Sequence, residues 1–123
     1  MKILFNGYFY KNEKLKLIKA VKTFSEQFRI SENFYFTLHS LGENESKDLN
    51  KKTFNKNTAT DVLSFPLYNN INMINELNEN MSEDMGDMFI CRNVIKKNAK
   101  IYEKELIEEL PVSYTHLRAH ETN

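Results

Sequence analysis

The chain has 123 residues, enough for one small domain rather than two. Hydrophobic residues make up 41% and charged residues 28%, the balance of a globular protein with its own core, and not of a disordered tail or a membrane bundle. The formal net charge is zero, which argues against nucleic-acid binding through an overall basic surface and leaves room only for a local patch.

Lys2 to Phe5 reads as a short strand. The run from Met1 to Asn6 has too short an apolar core for a signal peptide, and no stretch approaches the ~20 apolar residues of a membrane span. A cytoplasmic location is therefore expected, with no membrane partner. Asn12 is placed to cap a helix from about Glu13 to Phe28, whose residues Leu17, Ala20, Val21, Phe24 and Phe28 form one apolar face. Lys14, Lys16, Lys19 and Lys22 lie mostly off that face, so the stripe reads as core. Phe34, Phe36 and Leu38 alternate with Tyr35, Thr37 and His39, the period of a strand with one buried face.

Gly42-Glu43-Asn44 marks a turn, followed by a short helix from about Ser46 to Lys52 with Leu49 facing inward. Lys47, Lys51, Lys52 and Lys56 cluster here, as either a basic patch or a solvated helix face. Phe54 to Ala59 reads as a polar loop. Asp61 to Phe65 is a third strand; with apolar groups on both faces it is predicted to be central and covered on both sides, ending at Pro66. The asparagine-rich stretch from Tyr68 to Asp84 reads as a loop in which Ile71, Met73 and Ile74 are placed to touch the core. Gly86 permits a tight turn into a fourth strand, Met88 to Cys91. Cys91 is the single cysteine, so no disulfide partner is expected, and it reads as a packed, reduced thiol. The last element is a helix from about Asn93 to Leu110, with Ile95, Ala99, Tyr102 and Leu106 on its buried face. These elements make an α+β single domain, a mixed four-stranded sheet packed with helices.

Two runs are specific: Thr60-Asp61-Val62-Leu63-Ser64-Phe65-Pro66 and Met85-Gly86-Asp87-Met88-Phe89-Ile90-Cys91. With Leu49-Asn50 before them and Asn98-Ala99 after, they resemble the L-N, T-D-V-L-S-F-P, G-D-I-x-I and Q-A segments of the YbeY family. That family comprises bacterial zinc-dependent, single-strand-specific endoribonucleases that mature ribosomal RNA. The resemblance spans roughly Met1 to Leu110. It implies a zincin-like YbeY fold, zinc as cofactor, and ribosomal RNA and the ribosome as partners. It also implies that Asn50, Lys51, Lys52, Phe54, Asp61, Ser64 and Asp87 line or support an RNA cleft. Asp61 either orients a zinc-bound histidine or caps a turn, and Asp87 reads more simply as a turn cap. Ser64 has no base near it in sequence and is not read as a nucleophile. Where the family has a Y-R pair, this chain has Thr53-Phe54. An arginine fork could hold a phosphate; a phenylalanine cannot, and would stack on an unpaired base or simply pack, with Lys51 or Lys52 as substitute point charges.

The family holds its zinc with three histidines of a C-terminal H-G-x-L-H-L-x-G-Y-D-H segment, leaving a position for an activated water. The histidines here are His39, His116 and His120, and the last two match the family's i, i+4 pair. Residues 111–122, however, look like a translated transposase sequencing adaptor, and no glycine, aspartate or third histidine follows His120. Residues 1–110 are therefore read as a YbeY-like domain lacking its zinc segment, and 111–123 as a non-native tail. No catalytic or metal-ligating residue is assigned, no zinc is expected to be bound, and the chain as written is expected to be inactive. Val62, Leu63, Phe65 and the late helix are expected to be partly uncovered, making the domain marginal. The alternative function is a non-catalytic ribosome- or RNA-binding module. A zinc metallopeptidase ranks last, because Leu117 follows His116 where H-E-x-x-H needs a glutamate.

Overall fold

Phe34, Phe36 and Leu38 are almost completely buried, and they seed a sheet whose inner face is apolar and whose outer face is mixed. The computed structural model describes residues 1–68, 71–98 and 102–110. In chain order the elements are β1 (Lys2–Asn6), α1 (Lys11–Phe28), β2 (Phe34–Ser40), α2 (Glu43–Phe54), β3 (Val62–Pro66), α3 (Ile71–Asn75), β4 (Glu83–Ile90), α4 (Arg92–Lys97) and α5 (Tyr102–Glu109). The strands are ordered β1-β2-β4-β3, with β1, β2 and β4 parallel and β3 antiparallel to β4. The α+β mixed four-stranded sheet expected from the pattern is thus the observed one. Among the described residues no helix is long and apolar enough to cross a membrane.

The core lies between the inner face and α1, α4 and α5. Leu17, Val21 and Phe24 of α1, Ile95 of α4, and Leu106 and Leu110 at the chain's late helix join Phe36, Leu38, Met88, Ile90 and Val62 in one cluster. Phe28, at the end of the α1 stripe, is largely exposed and instead leans on Phe24 with ring centroids 4.6 Å apart. Arg92 clamps the start of α4 to α1: its guanidinium makes two hydrogen bonds to the Glu13 carboxylate, the longer at 2.7 Å, and lies 4.9 Å over the Tyr10 ring. The Tyr10 N–H also donates to Glu13, so Tyr10 rather than Asn12 is the cap of α1.

Several other expectations are corrected. β3 is an edge strand, not a central one. Its Pro66 fits there, because a missing N–H costs nothing at the rim of a sheet. Val62 and Leu63 are nonetheless buried, Val62 within the core that α5 covers by packing on α1 and β3. The predicted late helix divides: α4 stops at Lys97 and α5 begins at Tyr102, while Ala99 and the Tyr102 side chain fall outside the described residues. Within the expected loop from Tyr68 to Asp84, α3 forms and buries Ile74, whereas Met73 is exposed; the Ile71 side chain lies outside the described residues.

β4 begins at Glu83, well before the predicted Met88, and Gly86 lies inside it rather than at a turn. Tyr35 and Thr37 of β2 face Asp84 and Asp87, so β4 carries an extra residue there, a bulge. Gly86 has φ +127, and a Cβ at this position would sit 2.3 Å from the Phe65 carbonyl oxygen.

The short helix expected from Ser46 starts at Glu43 and runs through Phe54, where Asn55 closes it with φ 57. Its buried residues are Ser46 and Asn50, while Leu49 is only half-buried. The reason is hydrogen bonding. The Ser46 hydroxyl donates to the Thr60 carbonyl at 2.8 Å and accepts from the Thr60 N–H at 3.0 Å. The Asn50 amide donates to the Thr58 carbonyl at 2.9 Å. The loop into β3 is therefore strapped to α2 by two buried polar side chains, which satisfies its backbone without a ladder.

Three substitutions test this architecture. Gly86→Ala forces both a positive φ and a backbone clash, and is expected to lower stability by about 3 kcal/mol or more in a denaturant melt. Asn50→Ala leaves the Thr58 carbonyl without its donor, and a loss of about 1–3 kcal/mol is expected, with faster amide exchange in residues 55–60. Ser64 lies opposite Met88 on the inner face, with its hydroxyl buried and unpartnered among the described residues. Ser64→Ala is accordingly expected to leave the melting temperature unchanged or raise it; a drop comparable to that of Asn50→Ala would refute the placement.

Candidate nucleic-acid interface

Strand alternation and register together assemble the outer face of the sheet. Asn6 is opposite His39, Thr37 opposite Asp87, His39 opposite Phe89, and Phe89 opposite Leu63. Phe65 lies opposite Asp87. Directly opposed residues share a face, so Asn6, His39, Asp87, Phe89, Leu63 and Phe65 all project to the same side.

An aromatic ladder runs across this face. His39 stacks on Phe89 with centroids 4.4 Å apart and planes 12° apart. Phe89 meets Phe65 edge-to-face at 5.5 Å. Phe65 in turn lies 6.4 Å from the Phe54 ring, with planes 23° apart. Phe54, on the last turn of α2, is 51% exposed, whereas Phe65 and Phe89 are half-buried. The ladder thus ends in a ring supported from beneath and open above.

Its other end is anchored by polar bonds. The Asn6 amide is 2.9 Å from His39 Nδ1, and Asp87 Oδ1 is 2.8 Å from His39 Nε2. An amide NH2 only donates, so Nδ1 accepts from Asn6 and Nε2 donates to Asp87. Both ring nitrogens are engaged, and His39 presents no free lone pair to a metal. Among the described residues no group of three or more His, Cys, Asp or Glu could hold a metal ion. His116 and His120 lie outside the described residues.

The residues singled out in the sequence separate into five settings. Phe54 and Asp87 join the outer face, with Asp87 held by His39 rather than capping a turn. Lys51 and Lys52 are exposed on α2 beside Phe54. Asn50 is buried as a strap, and Ser64 points to the opposite, inner face. The Asp61 carboxylate accepts the Val62 N–H at 2.8 Å, the geometry of a turn into β3, and its backbone carbonyl accepts the Cys91 N–H at 2.8 Å. Cys91 itself is buried and reduced. Sequence reading missed Asn6, His39, Phe65 and Phe89 as partners; the signal lay in the period-two positions of four separate strands.

Elsewhere, Tyr68 donates to Glu83 at 3.1 Å, and its pKa is raised, first by desolvation, then by that hydrogen bond and by the charges of Glu83 and Asp84. A hollow of about 670 Å³ opens between β1 and α1, lined by residues that include Leu4, Ile18, Lys22, Arg29, Glu32 and Glu79. It sits at the far edge of the sheet from Phe54, and its charges are mixed.

Comparison with known proteins bears on this geometry. The family model described as Endoribonuclease YbeY matches residues 8–120. The Endoribonuclease YbeY of Mycoplasmoides gallisepticum is 32% identical over 92 residues, covering 75% of this chain and 51% of that protein. The Lactobacillus helveticus protein of the same name is 30% identical over 88 residues, covering 68% and 51%. The chain thus spans about half the length of the curated relatives it matches. A solution structure of a Thermotoga maritima protein shares the fold, with a TM-score of 0.56 and 23% identity, over 94% of this chain and 71% of that one. With most of its length matched by one family model, on a mixed four-stranded sheet, the chain belongs to the endoribonuclease YbeY family.

Proposed function

We infer that this chain carries the scaffold of a single-strand-specific endoribonuclease that processes ribosomal RNA during ribosome maturation in the cytoplasm, acting near the three-prime end of the small-subunit RNA. The observation that supports it is the family match over residues 8–120. The scaffold's own contribution is grip. The outer face offers flat rings for unpaired bases, and α2 offers exposed lysines for phosphates, in place of the family's arginine.

Zinc dependence belongs to the same reading, through water activation and charge neutralisation at a phosphate. The described residues do not fit a zinc ion: His39 uses both nitrogens, and no other trio of donors comes together among them. For the 123-residue chain itself, the departure of residues 111–123 from the family's zinc segment is the ground for the alternative of a non-catalytic ribosome- or RNA-binding module. The reading of residues 111–123 as a non-native tail is part of the same proposal.

The test compares two proteins. One is this chain; the other is translated from the uninterrupted genomic frame that continues beyond the codon for Leu110. The second is expected to bind zinc, to cut single-stranded ribosomal RNA in preference to duplex, and to lose cleavage to a chelator and regain it with zinc. The first is expected to show no substantial cleavage. Tight binding of one zinc and RNA cleavage by the 123-residue chain would overturn the assignment of its inactivity. Absence of cleavage by the genomic-frame protein would overturn the nuclease reading.

A further inference from the structure

We propose that Phe54, with Lys47 and Lys51, forms a stacking site for an unpaired base of single-stranded RNA on the outer side of the sheet. This inference rests on the RNA substrate of the proposed function and adds the place where a strand is held.

Isolated exposed apolar side chains are common and carry no meaning alone. Phe54 differs in two respects. First, its ring is backed by a continuous series of rings, Phe65, Phe89 and His39, the last fixed by Asn6 and Asp87. A flat π-face held in one orientation, yet 51% exposed, loses little freedom when a base lands on it. Second, charge surrounds it in a pattern suited to a phosphate chain. Lys47, Lys51 and Phe54 fall at i, i+4 and i+7 of α2 and share one stripe. Both lysines are exposed, and among the described residues neither is in an ion pair. Glu43, one turn before Lys47, is bonded to Lys97 at 2.8 Å and so is drawn away from the stripe. Asp48 stands one turn before both Lys51 and Lys52 and partly offsets each; Lys47 and Lys51 are the pair assigned to phosphates because they share the stripe of Phe54. Asp87, a carboxylate on the outer face, stands opposite Phe65, but its Oδ1 is turned to His39 at 2.8 Å.

Aromatic stacking accepts any base, and lysine ammonium groups bind phosphate as point charges. The site is therefore expected to grip single strands with little sequence preference and to reject duplex, whose bases are already stacked. The strap of Asn50 and Ser46 serves it indirectly, by holding the α2–β3 loop so that Phe54 meets Phe65.

The chain has no tryptophan, so Phe54→Trp introduces a single fluorophore at the site. The experiment titrates the full chain, and this variant, with fluorescein-labelled oligoadenylate of about 12 nucleotides and with a matched RNA duplex. Tryptophan emission is expected to be quenched by the single strand and not by the duplex. Phe54→Ala is expected to weaken binding about 5- to 100-fold, with Phe54→Leu weakening it similarly while retaining the apolar contact and the thermal melt. Lys47→Gln with Lys51→Gln is expected to reduce the slope of log affinity against log salt by about 1.4. Oligoadenylate binding with unchanged tryptophan emission and an unaffected Phe54→Ala would overturn this site while leaving the RNA-processing reading intact. Failure of the chain to bind any single strand would overturn it too, and the cleavage test on the genomic-frame protein then decides the broader reading separately. A self-association abolished by Phe54→Ala, without RNA binding, would assign the ring to a contact between copies and equally overturn the proposal.

Discussion

The close approach of β3 to β4 at Gly86 sets the phase of everything built on this sheet. Met85 and Met88 are both buried in the core although they are three residues apart. Strict period-two alternation would send one of them to the outer face. The bulge at Gly86 absorbs the extra residue, and it does so only because no Cβ stands between the strand and the Phe65 carbonyl. From that point on, Asp87 and Phe89 face outward and Met88 and Ile90 inward. The ladder and the core are therefore two consequences of one backbone irregularity. Displacing the bulge by one position would exchange Asp87 for Met88 at the side of His39, losing a hydrogen bond and burying a carboxylate at once.

The parts of the fold that follow from one-dimensional periodicity were legible in the sequence. Leu17, Val21 and Phe24 on α1 and Phe34, Phe36 and Leu38 on β2 announce their buried faces because hydrophobic burial is a property each segment expresses alone. Strand order is different in kind. β3 looks central because Val62, Leu63 and Phe65 are all apolar, yet it lies at the edge. Its outer side is covered by neighbouring rings and not by another strand, a distinction that residue type does not encode. Ser46 and Asn50 were illegible for a related reason. Polar side chains on a helix read as solvated, and only the position of the Thr58 and Thr60 carbonyls makes them interior.

The candidate site mixes both situations. The run Thr60 to Pro66 and the Gly86-Asp87 pair were visible as a family pattern; the first locates β3, while β4 begins at Glu83, ahead of the predicted Met88. Which of their side chains work together was not visible. Ser64 and Phe65 are adjacent in sequence and lie on opposite faces, so a cleft composed from contiguous motif residues merges two surfaces. Asn6 and His39 belong to neither motif. They enter because β1 pairs with β2 in a register that sets them side by side, a contact between residues 33 positions apart in the chain.

The replacement of the family's arginine by Phe54 then has a structural logic. A guanidinium would fix a phosphate by two directed hydrogen bonds and needs a rigid platform only for its stem. A phenyl ring contributes through area and planarity, so it becomes useful when something holds it flat. Phe65 supplies that support here, and Phe89 and His39 extend it across the same face toward β1. In the proposal the electrostatic part falls to Lys47 and Lys51 of the same helix, which would attract a phosphate without dictating its orientation. Recognition divided in this way depends on the single-strandedness of the RNA more than on the position of any one phosphate. In the proposal the grip on RNA rests on the ring and the lysines, so it can be tested apart from cleavage.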